Sequence, residues 1–438
     1  MKKVYKAHIL FTKEKDHFEV FENGYIAVED GIVLGVASSL DELNALTPNL
    51  SPLTSKDVID FGNKLLIPAM NDMHVHAPQV HNQGVAMDLE LLPWLQNYTF
   101  PEESKYADVH YAERMYRRFI HTQWLFGTMR SVVFGTMHTE STRVLMKLYQ
   151  EAGMGAMVGK VGMNRNCPDT LTEDVDAYVE GQEALIKEFS NLSPLTPHLS
   201  PLVRPIITPR FVPSCTPELL KACGELANKY QLPVQSHLSE NTSEIAWVAE
   251  LEKESTSYGD AYNRYGLFGQ TPTIMAHCVW TDGSELELMK KNHVMVAHCP
   301  TSNFNLSSGL APVRTFLDEG LPIGLGSDIS GGHDLNMLRM LVYAIQVSKM
   351  HYQQDKSKAF LTLPEIFWIA TKSAGSFFGK VGSFEPGYEF DALVIDDEVL
   401  HPDEYSLLHR LERFIYVGDD RQILHRFCRG QLIKEPKV

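Results

Sequence analysis

Several side chains able to bind a metal ion lie at the ends of short apolar runs. His74 and His76 are separated by one residue, so in a strand both side chains point to the same side. His237, His277 and Asp328 each end a later run. Imidazole nitrogens with one carboxylate and no thiolate are typical of catalytic zinc, or another divalent first-row metal, with a position left open for water. The pattern therefore indicates a hydrolytic metal centre.

Two further residues allow more than one interpretation. Glu240 lies three residues after His237, where its carboxylate could act as general acid and base on the water. The same carboxylate could simply stabilise the start of the helix that follows. His298 ends another apolar run, and we interpret it as a structural or supporting loop residue rather than a metal ligand.

The middle of the chain alternates short β-branched runs with helical patterns. Eight strands alternating with helices over roughly 300 residues are the size and count of a (β/α)8 TIM-type barrel, and a doubly wound sheet is the alternative. The metal-binding candidates would then share the end of the barrel where active sites are built. The predicted strands are 64–68, which leads to the first histidine pair, 131–138, 156–161, 203–209, 233–237, 273–277, 294–298 and 323–328.

The two ends of the chain resemble each other and differ from the middle. Both read as short strands and turns, with an Asp30-Gly31 hairpin signal near the start. Because chain ends often lie close together, we predict one composite β-sandwich domain from 1–63 and 381–438. The barrel would then occupy 64–380.

Charge and cysteine content restrict partners and location. The 438 residues include 39 Lys and Arg against 55 Asp and Glu, a formal net charge of −16, which disfavours nucleic acid and anionic membranes as partners. Six scattered cysteines without a C-x-x-C pair favour a reducing cytoplasm. No apolar run approaches the ~18 residues of a membrane helix.

Several motifs, taken together, resemble the amidohydrolase superfamily over essentially the whole chain. They are His74-Val75-His76, the 236–240 segment, Ala276-His277, the 298–303 loop and Gly326-Ser327-Asp328. Three further stretches are similar to guanine deaminases in particular: His76-Ala77-Pro78-Gln79, the 94–101 segment and Thr208-Pro209-Arg210-Phe211.

The resemblance implies a site and a reaction. One Zn²⁺ per subunit, with Fe²⁺ as the alternative, would be held by His74, His76, His237 and Asp328. Glu240, Asp328 and His277 would act in catalysis, converting guanine to xanthine and ammonia in a cytoplasmic homodimer. Contacts to the purine would come from Gln79, Trp94, Arg210, Phe211 and His237.

Other readings stay open at this point. The substrate could be a pterin, 8-oxoguanine, a triazine or a thioadenosine-like ring, or the barrel could bind a purine without catalysis. Two departures from the family pattern also stand out. Asn71-Asp72 replaces a more apolar approach to the histidine pair, and Pro78 leaves the pose of Gln79 open.

Overall fold

A computed structural model describes residues 2–48, 53–190, 200–401 and 405–438. The strands of the first part are β1 (Lys2–Phe11), β2 (Glu19–Glu29), β3 (Ile32–Ala37) and β4 (Val58–Pro68). The middle contains β5 (Met70–His76), β6 (Thr128–Phe134), β7 (Gly155–Gly159), β8 (Val161–Gly162), β9 (Val203–Pro205), β10 (Thr208–Pro209), β11 (Val234–Leu238), β12 (Thr273–His277), β13 (Met295–His298) and β14 (Ile323–Leu325). The last part contains β15 (Ala392–Ile395), β16 (Ile423–Cys428) and β17 (Gln431–Leu432).

The helices mostly follow the strands of the middle region. They are α1 (Leu40–Leu46), α2 (Leu91–Trp94), α3 (Phe100–Ser104), α4 (Val109–Leu125), α5 (Thr139–Ala152), α6 (Val175–Phe189), α7 (Pro217–Tyr230), α8 (Thr242–Leu251), α9 (Tyr258–Arg264), α10 (Gly283–Asn292), α11 (Pro300–Asn305), α12 (Val313–Asp318), α13 (Met337–Gln354), α14 (Leu363–Trp368) and α15 (Leu407–Val417). Within the described ranges, no helix combines the length and apolar character needed to cross a bilayer.

Parallel strands of the middle region close into a ring. β5, β6, β7 and β9 form one parallel sheet, and β11 to β14 form another. Ile207 joins the two sheets, since its N–H donates to Pro233 O (2.9 Å) and its carbonyl accepts from Gln235 N (3.0 Å). On the other side, Asp328 N donates to His74 O (2.8 Å). The predicted (β/α)8 barrel is therefore confirmed, and the doubly wound alternative is excluded because its sheet would stay open.

The terminal strands form one seven-stranded sheet in the order β17-β16-β15-β4-β1-β2-β3. The β2–β3 hairpin turns at Asp30 and Gly31, whose φ angles of 50° and 84° are those of a tight hairpin turn that favours Asp-Gly. Stacked aromatic rings, such as Tyr5 and Phe390 with centroids 5.3 Å apart, fill the core of this sheet. Both chain ends thus build a small β domain, as predicted.

One predicted strand belongs to a different sheet. The run 64–68, expected as the first barrel strand, is part of β4, where Leu66 pairs with Ile9 of β1 and Val394 of β15. The first barrel strand is β5, which begins after a single residue, Ala69. Because both runs are apolar and only one residue lies between them, the hydrophobic pattern does not show where one strand ends and the next begins. The division of the chain at 63/64 and 380/381 stays a prediction.

A buried charge cluster connects the barrel to the terminal sheet. Arg130 on β6 donates to Asp391 Oδ2 (2.5 Å) and to Glu389 Oε2 (2.6 Å). Arg429, next to β16, donates to the same Glu389 oxygen (2.6 Å). Arg130 is only 3% exposed, so removing it would leave carboxylates buried with fewer partners.

We therefore expect Arg130→Ala to lower stability by about 3–5 kcal/mol, seen as a clear drop in the thermal unfolding midpoint. The control is Arg421→Ala, which removes an ion pair to Asp419 from a side chain that is 79% exposed and should leave the midpoint unchanged. Equal midpoints for the two variants would contradict a role for the buried cluster.

Candidate active site

The metal-binding candidates converge at the carboxyl end of the barrel. His74 and His76 lie on β5, His237 on β11, His277 at the end of β12, and Asp328 follows β14. The Nε2 atom of His76 lies 3.2 Å from Nε2 of both His74 and His237. Asp328 Oδ1 lies 3.1 Å from Nε2 of His74 and 3.4 Å from Nε2 of His76. The metal-site candidates predicted from the sequence are thus brought together: His74, His76, His237, His277 and Asp328.

The protonation of these imidazoles fits a cation between them. Nδ1 of His237 lies 2.6 Å from Arg210 O and donates to it, so a neutral ring directs its unprotonated Nε2 toward the cluster. Burial lowers the pKa of His74, His76 and His237, which favours the neutral form. Lone pairs this close repel one another without a positive charge between them. Nitrogen donors with one carboxylate therefore match a divalent metal site.

At Asp328 and His277, neighbouring charges rather than burial determine the direction of the pKa shift. Although burial acts against its charge, the imidazoles of His74, His277 and His76 hold the pKa of Asp328 well below its usual range. Burial alone would lower the pKa of His277, but the carboxylates of Glu240 and Asp328 outweigh it and raise the pKa. His277 Nε2 lies 3.4 Å from Glu240 Oε2, and its Nδ1 lies 2.9 Å from Asn303 Oδ1. Asn303 thus orients the ring.

Glu240 is a buried carboxyl group in a position to exchange protons. Burial, and then the nearby charge of Glu244, raise its pKa to about 7. Ser308 Oγ donates to Glu240 Oε1 (3.1 Å). The alternative role at the helix start is filled by Glu244, which forms a capping box with Asn241 at the beginning of α8. Glu240 therefore faces the pocket and His277 rather than the end of the helix.

A pocket opens beside the metal-binding cluster. Trp94 and Phe211 provide aromatic walls, and both are largely buried. The indole N–H of Trp94 donates to Val85 O (3.3 Å), so the ring presents carbon atoms to the pocket. The aromatic lining suits a planar heterocycle.

The polar wall of the pocket consists of Gln79 and Arg210. Despite the adjacent Pro78, Gln79 lines the pocket, held by Ser330 N, which donates to its Oε1 (2.8 Å). Gln79 Nε2 donates to Glu103 Oε1 (2.8 Å). Arg210 donates to the other oxygen of Glu103 (2.5 Å). The wall thus offers hydrogen-bond donors to a ligand.

Glu103 and Ser308 are site residues that the sequence does not single out. Asn303 belongs to the 298–303 motif, but the motif assigns it no role. Glu103 follows the 94–101 segment by two residues, so that segment was the available signal. His298, by contrast, does not line the pocket, and burial lowers its pKa to about 3. Among the described residues, its ring nitrogens have no hydrogen-bond partner. The interpretation of His298 as a structural residue therefore remains in place.

Comparisons with known proteins agree with this geometry. A profile of the amidohydrolase family matches residues 65–433. The guanine deaminase of Dictyostelium discoideum is 36% identical over 99% of this chain and 98% of its own. The guanine deaminase of Escherichia coli is 31% identical over 99% of this chain and 98% of its own.

A solved structure provides the comparison in three dimensions. The crystal structure of guanine deaminase from C. acetobutylicum, with guanine bound in its active site, superposes with a TM-score of 0.94. It is 48% identical, and the match covers 99% of this chain and 100% of the other.

The geometry predicts that metal binding depends on the converging imidazoles. His74→Ala should lower the divalent metal content from about one ion per chain to a small fraction of that, because a nitrogen donor at the centre of the cluster is lost. Metal content would be measured by elemental mass spectrometry after gel filtration. The exposed His110, changed to Ala, is the control and should keep the metal. Retention of metal by His74→Ala would contradict this assignment.

Proposed function

The chain belongs to the amidohydrolase family, and we propose that it converts guanine and water to xanthine and ammonia. The observation that supports this most strongly is one pocket that combines a metal-binding cluster, a buried acid and donors aimed at a ring. Guanine carries a carbonyl oxygen and ring nitrogens that accept hydrogen bonds, which the donors of Gln79 and Arg210 complement. The aromatic walls fit its planar ring.

We assign metal binding to His74, His76, His237 and Asp328, with Zn²⁺ as the ion and Fe²⁺ as the alternative. When bound, the metal would lower the pKa of water and so supply a nucleophile at neutral pH. Nitrogen-rich ligation favours zinc over Mg²⁺ or Ca²⁺, which prefer oxygen ligands.

Glu240 would carry the proton through the reaction. A carboxyl group with a pKa near 7 can take a proton from the attacking water and release it again at neutral pH. It would pass that proton to ring N3 as the C2–O bond forms and C2 becomes tetrahedral. The proton left on the new C2 hydroxyl would then be carried to the amine, so that ammonia leaves as the C2–N bond breaks and the C2 carbonyl of xanthine forms. His277, which lies beside both Glu240 and Asp328, would act together with Asp328 to stabilise the charge that develops.

Binding residues would hold the ring during these transfers. Arg210 and Gln79 would donate to the carbonyl oxygen and to an unprotonated ring nitrogen on the same edge. Phe211 and Trp94 would cover the ring faces and exclude water. His237 also lines the pocket and would contact the substrate from the metal side.

The proposal also covers the cellular compartment and the oligomeric state of the enzyme. The free cysteines, five of them buried, fit a reducing compartment such as the cytoplasm. We further propose a homodimer, in line with the family resemblance, and no macromolecular ligand in the pocket.

An ammonia-release panel tests the substrate assignment. Zinc-loaded protein would be offered guanine, adenine, 8-oxoguanine, isoguanine and a pterin, with rates compared as kcat/KM. Guanine should be the best substrate, because its acceptor edge matches the donor wall. A higher kcat/KM for a pterin or 8-oxoguanine would shift the assignment to that ring. No turnover of any member would favour a binding protein.

Glu240→Gln tests the proton transfer. The variant should keep its metal but lose about 10²–10⁴ in kcat, because the amide cannot take up and release the proton. Glu250→Gln, at an exposed position on α8, the helix that follows Glu240, provides the matched control and should keep full activity. A Glu240→Gln enzyme with unchanged kcat would rule out the proton-transfer role.

A further inference from the structure

Glu103 connects the two polar side chains of the pocket wall without lining the pocket itself. Its Oε1 accepts from Gln79 Nε2 (2.8 Å), and its Oε2 accepts from Arg210 (2.5 Å). The residue is 4% exposed, and it lies on α3. The same helix supplies Phe100, whose ring lies 5.1 Å from the guanidinium carbon of Arg210. Arg210 is thus held by charge on one side and by an aromatic face on another.

The hydrogen bonds around Gln79 fix which way its amide points. Ser330 N can only donate, so the atom facing it must be Oε1, and Ser330 Oγ also lies 3.3 Å from that oxygen. Glu103 accepts on the opposite side, so the atom facing it must be Nε2. A flipped amide would place N–H against N–H on one side and oxygen against oxygen on the other. The oxygen of Gln79 is therefore occupied, and only an N–H remains for a ligand.

Arg210 has no acceptor atom at all. Glu103 accepts a hydrogen bond from each side chain and fixes its orientation, while Ser330 occupies the oxygen of Gln79. The wall therefore presents only donors to a ligand. A ring edge with acceptors, such as a carbonyl beside an unprotonated nitrogen, pairs with it. A ring edge that carries an amino group brings donors against donors, which costs binding free energy.

We propose that Glu103 is a positioning residue for specificity: it holds Gln79 and Arg210 as a wall of donors and so selects 6-oxo over 6-amino rings. This inference rests on the proposed function. It concerns which 2-aminopurines the site accepts, whereas the chemistry at C2 belongs to the metal-binding cluster and Glu240.

Guanine and 2,6-diaminopurine form the matched pair of probes, since both carry the 2-amino group that is removed. They differ in the group at C6 and in the proton on the adjacent N1. For Glu103→Gln, we expect kcat/KM for guanine to fall about 10- to 100-fold, mostly through KM. The preference for guanine over 2,6-diaminopurine should fall by about tenfold or more. The variant no longer holds the donors of Gln79 and Arg210 toward the carbonyl of guanine, and those donors never served the amino group. Both rings would also be compared as competitive ligands.

Glu102→Gln is the control, because the chain offers the same change one residue earlier at equal burial. Glu102 is also 4% exposed, but it pairs with Lys105 and Tyr111 outside the pocket wall. This variant should keep the wild-type preference. Metal content and the unfolding midpoint would be measured for both variants.

The outcomes separate positioning from a merely structural role. A reduced preference in Glu103→Gln, with metal retained, supports the inference. An equal loss on both rings, or an unchanged preference, overturns it. If Glu103→Gln does not fold, Glu103→Asp replaces it, since the shorter side chain cannot reach both partners, and an unchanged preference there also overturns the inference. Failure of the wild-type protein to deaminate guanine would instead remove the proposed function, and this inference with it.

Discussion

The active site depends on the line of contact where the last barrel strand meets the first. Main-chain hydrogen bonds across this contact, such as Asp328 N to His74 O (2.8 Å), place a carboxylate next to the imidazoles of β5. The buried Asp72 strengthens the junction by accepting from Ser327 N (2.9 Å) and Oγ (2.5 Å), and burial raises its pKa to about 7. Closure of the ring therefore also brings together the residues that we propose bind the metal. The polar Asp72, which departs from the family pattern, has its explanation here.

Chemistry and recognition come from different parts of the fold. Strand ends position the metal-binding residues and Glu240, and their backbone is held in unusual conformations: φ is 71° at His277 and 48° at Asp328. Such left-handed residues persist only where the surrounding structure fixes them. The proposed recognition wall comes partly from the long segment between β5 and α4, which supplies Gln79, Trp94 and Glu103. Arg210 and Phe211 follow β10 instead. Sequence changes in that segment can alter the preferred ring without moving a metal ligand.

The parts of the site that the sequence predicts are those that follow a geometric rule. His237, His277 and Asp328 could be found because active sites of barrels lie at the carboxyl ends of strands. Glu103 could not, because it comes from a helix in a long loop whose path has no periodicity. The strand at 64–68 was assigned to the barrel because an apolar run does not reveal which sheet it joins. Resemblance, rather than spacing, supplied Arg210 and Gln79.

Because the two chain ends share one sheet, that sheet can be completed only after the C-terminal strands have been synthesised. β4 pairs with β1 on one side and with β15 on the other, and the entire barrel lies between β4 and β15 in the chain. While the ribosome is still translating the barrel, one edge of β4 has no neighbour and is open to pairing with other chains. The terminal sheet is completed last, so a truncated product would expose that edge. Completion of the C-terminal strands therefore also protects the nascent protein from aggregation.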